Sequence, residues 1–337
     1  MIAPALKVLS QGRINQDLLT QISDEVAFVE EELQLQVRSK VELIEQVGQL
    51  TLLAGGKRLR PAFVSLAAKA TGLPFDVERT RLLGASLEMI HMATLIHDDV
   101  IDHASTRRGR PTASAEYGNT AAILAGDALL ARAMLILSRD GDVDLVRVVA
   151  ESVAEIAQGE VRELEVRGDF DLDEATHLEI LRMKTASFIE CCCEVGAMVA
   201  GATRETCLAL RAYGHHVGMA FQIADDLLDY RGDRSKTGKP RAADFREGQA
   251  TLPLIYLRDR LSSEEAAVVR QGFGNNPSED EIRLLTEWME QRGAFERAEK
   301  IAREHTARAT AAIDHLPATV SRELLETVAE YVVRRDR

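Results

Sequence analysis

The sequence predicts an all-α protein. Three observations carry this: apolar residues recur at helical spacing through most of the chain, no alternating strand pattern persists, and the aromatic content is only 4%. Eight prolines are spread over 337 residues, with none between Pro111 and Pro240, which leaves long stretches free of helix breakers. A chain of this length buries a sizeable core, and a single domain over 1–337 is expected.

Each element follows from the local pattern. Residues 14–53 read as one long amphipathic helix or a broken pair, ended by "AGGKRLRP". There Gly55 and Gly56 permit unusual backbone angles, and Pro61 suits the first turn of the next helix. Residues 77–102 are apolar on most sides, the mark of a helix surrounded by others. Further helical runs cover 114–137, 143–166, 173–201 and 204–231, divided by "RDGDVD", "RGDFD" and "GATRE". A glycine- and charge-rich loop over 231–249 precedes helices from about 250 to 335, where "NNPSED" supplies a turn and a helix cap.

A formal charge of -13 argues against broad binding to nucleic acid or to an anionic membrane surface, so an anionic ligand needs a local basic cluster. The N-terminus lacks the pattern of a secretory signal, and no stretch reads as long and uncharged enough to cross a bilayer. Cys191, Cys192 and Cys193 point about 100° apart on a helix, a spacing that suits neither zinc nor disulfides; buried thiols in a reducing cytoplasm are expected.

The chemistry lies in two echoing stretches, "LIHDDVID" at 95–102 and "QIADDLLD" at 222–229. Asp98 and Asp102 are i and i+4, hence on one helix face about 6 Å apart along the axis, and Asp225 and Asp229 repeat this. Paired carboxylates on an apolar helix repel each other unless a cation joins them. Hard oxygen donors with no cysteine beside them select magnesium, with manganese as a substitute. If the two helices run antiparallel, both pairs face one cavity. Magnesium completes its shell with water and phosphate oxygens, so the substrate is expected to carry phosphate. The plainer reading of either stretch is an exposed helix end; two copies in strongly apolar helices weigh against it. Complementary charge comes from Lys57, Arg58 and Arg60 on the glycine turn and from Arg107 and Arg108 just past Asp102, whose guanidinium forks match phosphate oxygens. His91, seven residues before Asp98, returns to the same face.

Together, "GGKRLRP", His91, "DDVID" with "RRGRP", Lys184-Thr185, "FQIADDLLD" and "GKPRAADFREGQATLPLI" resemble the trans-isoprenyl diphosphate synthases, in that family's order, over about 50–257. The remaining 258–335 would be C-terminal helices. The resemblance implies an isoprenoid-synthase helical bundle around a central cavity, usually a cytoplasmic homodimer. It implies a magnesium-dependent head-to-tail joining of isopentenyl diphosphate to an allylic diphosphate such as farnesyl diphosphate. It further implies that Asp98, Asp99 and Asp102 bind metals on the allylic diphosphate and that Asp225, Asp226 and Asp229 bind the rest. Lys57, Arg60, His91 and Arg108 would hold isopentenyl diphosphate; Arg107, Lys184, Thr185, Gln222 and Lys239 would hold the allylic diphosphate. Two departures stand out. Ala242-Ala243 occupy a place where relatives often have Gly-Asp, and Gln249 stands where lysine is common; Asp244 is kept.

Thr94 sits one turn before Asp98 with Ala93 beside it and Ile90 lower down. Short-chain relatives block this region with aromatic rings. Small residues here predict an open tunnel and a long product of the octaprenyl to decaprenyl class, used for quinone side chains. Rival readings are a short- or medium-chain synthase, a His-Asp phosphohydrolase built on His91, His97 and Asp98, a terpene cyclase, and a non-catalytic subunit. The phosphohydrolase reading leaves the second aspartate stretch unexplained, and the last two usually lose residues that this chain keeps. His97 reads as structural.

Overall fold

The computed structural model describes residues 27–56, 58–232 and 241–334. The all-α expectation holds. Helix α1 covers 27–36, followed by α2 (Glu42–Leu53), α3 (Leu59–Ala70) and α4 (Val77–Ile101). A small hairpin, β1 (Thr106–Arg107) with β2 (Arg110–Pro111), leads to α5 (Ala113–Tyr117), α6 (Asn119–Asp140), α7 (Val143–Val166) and α8 (Glu174–Leu181). A π-helical turn, Arg182–Ala186, joins α8 to α9 (Ser187–Val199); then come α10 (Arg204–Arg231), α11 (Ala243–Arg246) and α12 (Leu252–Arg258). The chain continues through α13 (Ser263–Gly272), α14 (Glu279–Gln291), α15 (Ala294–Ala312) and α16 (Val320–Arg334).

Most boundaries match the sequence reading, and the differences have local causes. Residues 27–53 form a broken pair. The run at 114–137 is two helices, because Gly118 adopts φ 83 and starts a second helix there. Residues 173–201 are interrupted by the π turn. The hairpin is a two-residue ladder, too short for alternation to be read; its turn, Arg108-Gly109, has positive φ at both positions (52 and 75), the type I′ arrangement. Helix α13 starts at a capping box of Ser262 with Glu265, and "NNPSED" supplies Ser278, which forms the box that starts α14 with Glu281 just beyond it.

The contacts group the chain into two compact units. The first takes Met1–Ala150, described from residue 27, with Cys191–Arg211 and His315–Leu325. At its centre α4 packs against α3 and α6, with Leu83, Leu87, Met89, Ile90 and Ile96 fully buried. Asp76 caps α4 by accepting from Arg79 N, while the Arg79 side chain makes a two-point pair with Asp140 at the end of α6 (2.7 and 2.8 Å). Glycines set the closest approaches. Gly84 stands against Pro61, and a Cβ on Gly196 would collide with the carbonyl of Val64 and lie 2.8 Å from the Ala67 methyl. The three cysteines beside Gly196 are buried free thiols. By length and composition alone α6 would pass as a membrane span, but it carries Asp127 and Arg132 and packs on α4 and α2.

The second unit takes Glu151–Glu190, Ala212–Asp314 and Glu326–Arg337, the last described to residue 334. Phe245 and Phe170 both meet Phe273 edge-on, at ring centroid distances of 5.5 and 5.6 Å, in a core that includes Ile223, Leu227 and Tyr230. The π turn packs closely against two glycines. A Cβ on Gly159 would be 2.9 Å from Lys184 N, and one on Gly218 would be 2.6 Å from Ala186 Cα.

Replacing Gly196 by alanine forces α9 away from α3. Gly196→Ala is expected to destabilise the chain by about 1–3 kcal/mol, measured by chemical denaturation; Gly55→Ala, which has open space around it, tests the conformational cost alone.

Candidate active site

Both aspartate triplets sit at the C-terminal ends of long helices: Asp98, Asp99 and Asp102 at the end of α4, and Asp225, Asp226 and Asp229 at the end of α10. Carbonyls without helical partners give such ends negative character, which disfavours carboxylates and attracts cations. Each triplet divides the same way. The middle residue is buried: Asp99 is 5% exposed and Asp226 4%, while Asp98, Asp102, Asp225 and Asp229 keep accessible surface. Asp99 Oδ1 accepts from Arg107 Nε at 2.8 Å. Asp226 is held by His177 Nε2 at 3.1 Å and by the Gln222 amide at 3.2 Å, and Thr185 Oγ1 in turn donates to Gln222 Oε1 at 3.0 Å. So the outer pairs, at i and i+4, are the ones presented, each beside a buried and hydrogen-bonded neighbour.

In the first unit a basic cluster forms around His91. Burial and then the charges of Arg60, Arg108, Arg107 and Arg58 push the His91 imidazole well below its ordinary value of 6.5. The Arg108 guanidinium donates to Gly55 O, and a Cβ on Gly56 would lie 2.9 Å from Arg58 and 3.3 Å from Arg108. The glycines of "AGGKRLRP" thus let the turn close against the arginines of "RRGRP". Burial pulls Arg60 and Arg108 down from the usual arginine value, Arg108 also through its arginine neighbours. Arg58 has a structural role instead: 4% exposed, it pairs with buried Glu88 at 3.0 Å and with Glu30 at 3.4 Å. His97 is packed on Gly126 and lies 3.2 Å from Ile123 O and 3.4 Å from Asp127, in keeping with a structural histidine. Lys57 and Lys239 lie outside the described residues.

In the second unit the π turn presents Lys184 and Thr185, and π turns frequently mark functional positions. Lys184 Nζ pairs with Glu163 at 2.7 Å and Glu160 at 3.0 Å; burial opposes its charge, but the two carboxylates outweigh it and raise the lysine above its ordinary value. A diphosphate that takes up Lys184 has to compete with them. Asp229 accepts from Ala243 N (3.0 Å) and Asp244 N (3.1 Å), so it also starts α11. Ala242, at the place where relatives often have glycine, is fully buried with φ 54 and ψ 46. Among the length-determining candidates, Ile90 and Ala93 are buried and Thr94 keeps accessible surface while donating to His91 O.

A profile of the family described as Polyprenyl synthetase matches residues 41–289. The chain belongs to the polyprenyl synthetase family. Its members are prenyltransferases, and the matched range contains every site residue named above. The chain is 37% identical to the octaprenyl diphosphate synthase of Escherichia coli strain K12, over 90% of this chain and 93% of that protein. It is likewise 37% identical to the heptaprenyl diphosphate synthase component 2 of Geobacillus stearothermophilus, over 94% and 97%. The crystal structure of a decaprenyl diphosphate synthase from Rhodobacter capsulatus is similar at a TM-score of 0.89 and 33% identity, covering 96% of this chain and 99% of that one. The resemblance read from 50–257 is thus the family's, and the match reaches farther in both directions. What sequence reasoning missed were the partners of the functional groups: His177 for Asp226, Glu160 and Glu163 for Lys184, Glu88 for Arg58. None sits at a telling spacing from the residue it holds.

Two predictions follow from this geometry. His91 is neutral in the fold and takes up a proton below about pH 6.5 once unfolded, so its contribution to stability is present above that pH and lost as pH falls toward its folded value. His91→Gln should therefore flatten part of the acid-side loss of stability in denaturation curves between pH 7 and 5. At residue 242, relief of left-handed strain offsets the loss of a buried methyl, so Ala242→Gly should stay within about 1 kcal/mol of the parent; Ala242→Val, branched at a left-handed position, should cost about 2 kcal/mol or more in the same assay.

Proposed function

We propose that this prenyltransferase joins isopentenyl diphosphate head to tail to an allylic diphosphate such as farnesyl diphosphate, with Mg2+, and releases a long all-trans polyprenyl diphosphate. The observation that carries the reading lies in the first unit: the accessible Asp98 and Asp102 at the end of α4, with a cluster of arginines around a neutral histidine. Lys57, Arg60, His91 and Arg108 bind isopentenyl diphosphate. Arg107, Lys184, Thr185, Gln222 and Lys239 bind the allylic diphosphate.

The metal fits the donor set. Asp98 and Asp102, and separately Asp225 and Asp229, offer hard oxygen ligands at negative helix ends with no thiol among them, the chemistry magnesium prefers. When bound, Mg2+ would neutralise charge on the diphosphate leaving group. Asp99 and Asp226 act as positioning residues, fixing Arg107 and Gln222. Arg107 and Lys184 take up charge that develops on the diphosphate oxygens as the allylic carbon–oxygen bond breaks. Neutral His91 binds without adding repulsion among the arginines. The cation then meets the isopentenyl double bond, and the released diphosphate serves as base for the proton that leaves.

Long-chain relatives and the small residues Ala93 and Thr94 support a product of the octaprenyl to decaprenyl class. We further propose a homodimer in the cytoplasm. Leu124, Ala131 and Leu135 form an exposed apolar stripe on α6 at helical spacing, suited to a second copy, and the cysteines are free thiols, the form a reducing compartment maintains.

Purified chain with Mg2+, isopentenyl diphosphate and farnesyl diphosphate is expected to make a long polyprenyl product, read by chromatography of the dephosphorylated alcohols; no product from the chain alone would favour a subunit of a heteromeric synthase. Thr94→Phe, the candidate with accessible surface, should shorten the product, and Ala93→Phe should do so if the tail passes that side of α4. Leu124→Lys with Leu135→Lys should shift the mass measured by light scattering from dimer to monomer.

A further inference from the structure

Among the described residues, three histidines converge in the second unit at a place that none of the chemistry above uses. His215 and His216 are neighbours on α10 and His305 lies on α15. Their rings form a compact trio, with centroid distances of 4.8, 5.1 and 6.1 Å, and one nitrogen from each lies within 4.8 Å of the other two. His216 Nδ1 and His305 Nδ1 are 3.0 Å apart. At that distance only one of the two Nδ1 atoms carries a proton, which it donates to the lone pair of the other, so the two rings are not both imidazolium. Burial, followed by the neighbouring histidines and Arg308, lowers both to about 4, so both are neutral near pH 7 and carry ligand lone pairs.

His215 is oriented from a third helix. Its Nδ1 lies 2.8 Å from Glu190 Oε1 on α9, which favours a proton on Nδ1 and leaves the Nε2 lone pair free to bind. A carboxylate that fixes the tautomer of an imidazole in this way is the usual outer partner of a metal-binding histidine. The approach of α10 to α9 depends on Gly214, where a Cβ would be 2.7 Å from Ile189 O. Opposing charge is limited: Arg308, 61% exposed at its side chain, faces Glu304 at 4.0 Å, and the charge of Glu190 acts on His216 in the opposite sense.

We propose that His215, His216 and His305 form a three-histidine site for a transition-metal cation of the Zn2+ class, with the fourth position left to water. Imidazole nitrogens favour zinc, copper or nickel over magnesium, so the site is chemically distinct from the aspartate pairs. Zinc–nitrogen bonds of about 2.0–2.1 Å in a tetrahedron put ligand nitrogens about 3.3 Å apart, and the observed spacing reaches this by side-chain rotation. Ten residues separate His215 from Asp225, about 15 Å along α10. The metal would fasten the middle of α10 to α15, and through Glu190 to the helix that continues from the Lys184 turn. It therefore acts as a clamp on the scaffold behind the site.

The test uses the untagged full chain, stripped with a chelator and titrated with Zn2+ against a chromophoric competitor. One tight equivalent per chain is expected, kept in Asp98→Asn combined with Asp225→Asn, and weakened roughly 100-fold or more in His216→Gln combined with His305→Gln. Glu190→Gln should weaken it roughly 10- to 100-fold, and Zn2+ should raise the melting temperature of the parent but not of the histidine variant. Co2+ gives a second readout that needs no variant: the parent should show the intense visible bands of a tetrahedral nitrogen site. A parent that binds Zn2+ no more tightly than the histidine variant, or Co2+ that keeps its octahedral spectrum, overturns the proposal.

Discussion

Carboxylates at the negative end of a helix are the constraint on which the site depends. Asp98, Asp99 and Asp102 crowd the end of α4, and Asp225, Asp226 and Asp229 the end of α10, where the carbonyls already carry partial negative charge. The fold answers in the same way twice. It buries the middle acid with a hydrogen-bonding partner, Arg107 for Asp99 and His177 with Gln222 for Asp226, and leaves accessible surface on the outer pair, of which Asp229 also accepts from the backbone of α11. In the proposed reaction the accessible pair is the one that would hold a cation, and the buried acid is the one that would position Arg107 or Gln222 beside it.

The second constraint is positive charge without space. Arg60, Arg107 and Arg108 gather near His91 in the first unit, and this is tolerable because His91 is neutral, Arg58 is absorbed by Glu88, and Gly55 and Gly56 let the turn fold against the guanidinium groups. A side chain at Gly56 would strike Arg58. The glycines thus serve the electrostatics: they bring a backbone carbonyl to Arg108, where a bulkier turn would hold it away.

Much of this was legible in the sequence because it is local. The limits of α7 and α10 follow from unbroken periodicity bounded by turn residues, and the outer aspartate pairs follow from i, i+4 spacing alone. The Ser278 cap is written in four consecutive positions. What stayed hidden is long-range or depends on packing. His177 lies 49 positions from Asp226, Glu88 lies 30 from Arg58, and no spacing rule connects them. The π turn leaves no mark in the sequence of 182–186; the two glycines packed against it, Gly159 and Gly218, are distant in the chain. The 106–111 hairpin is too short for a period, although "RRGR" holds the glycine its turn requires. The three histidines of α10 and α15 were passed over because the third is 89 positions away from the second.

Counting bound metal distinguishes the outer from the middle aspartates of each triplet. Mn2+ bound per chain in the presence of inorganic diphosphate is read by electron paramagnetic resonance in four variants: Asp98→Asn, Asp99→Asn, Asp225→Asn and Asp226→Asn. Asp98→Asn and Asp225→Asn are expected to lose bound Mn2+, while Asp99→Asn and Asp226→Asn keep the parent's stoichiometry and lose stability instead. Loss of Mn2+ from the middle-residue variants equal to that from the outer ones, in chains that remain folded, would contradict that distinction.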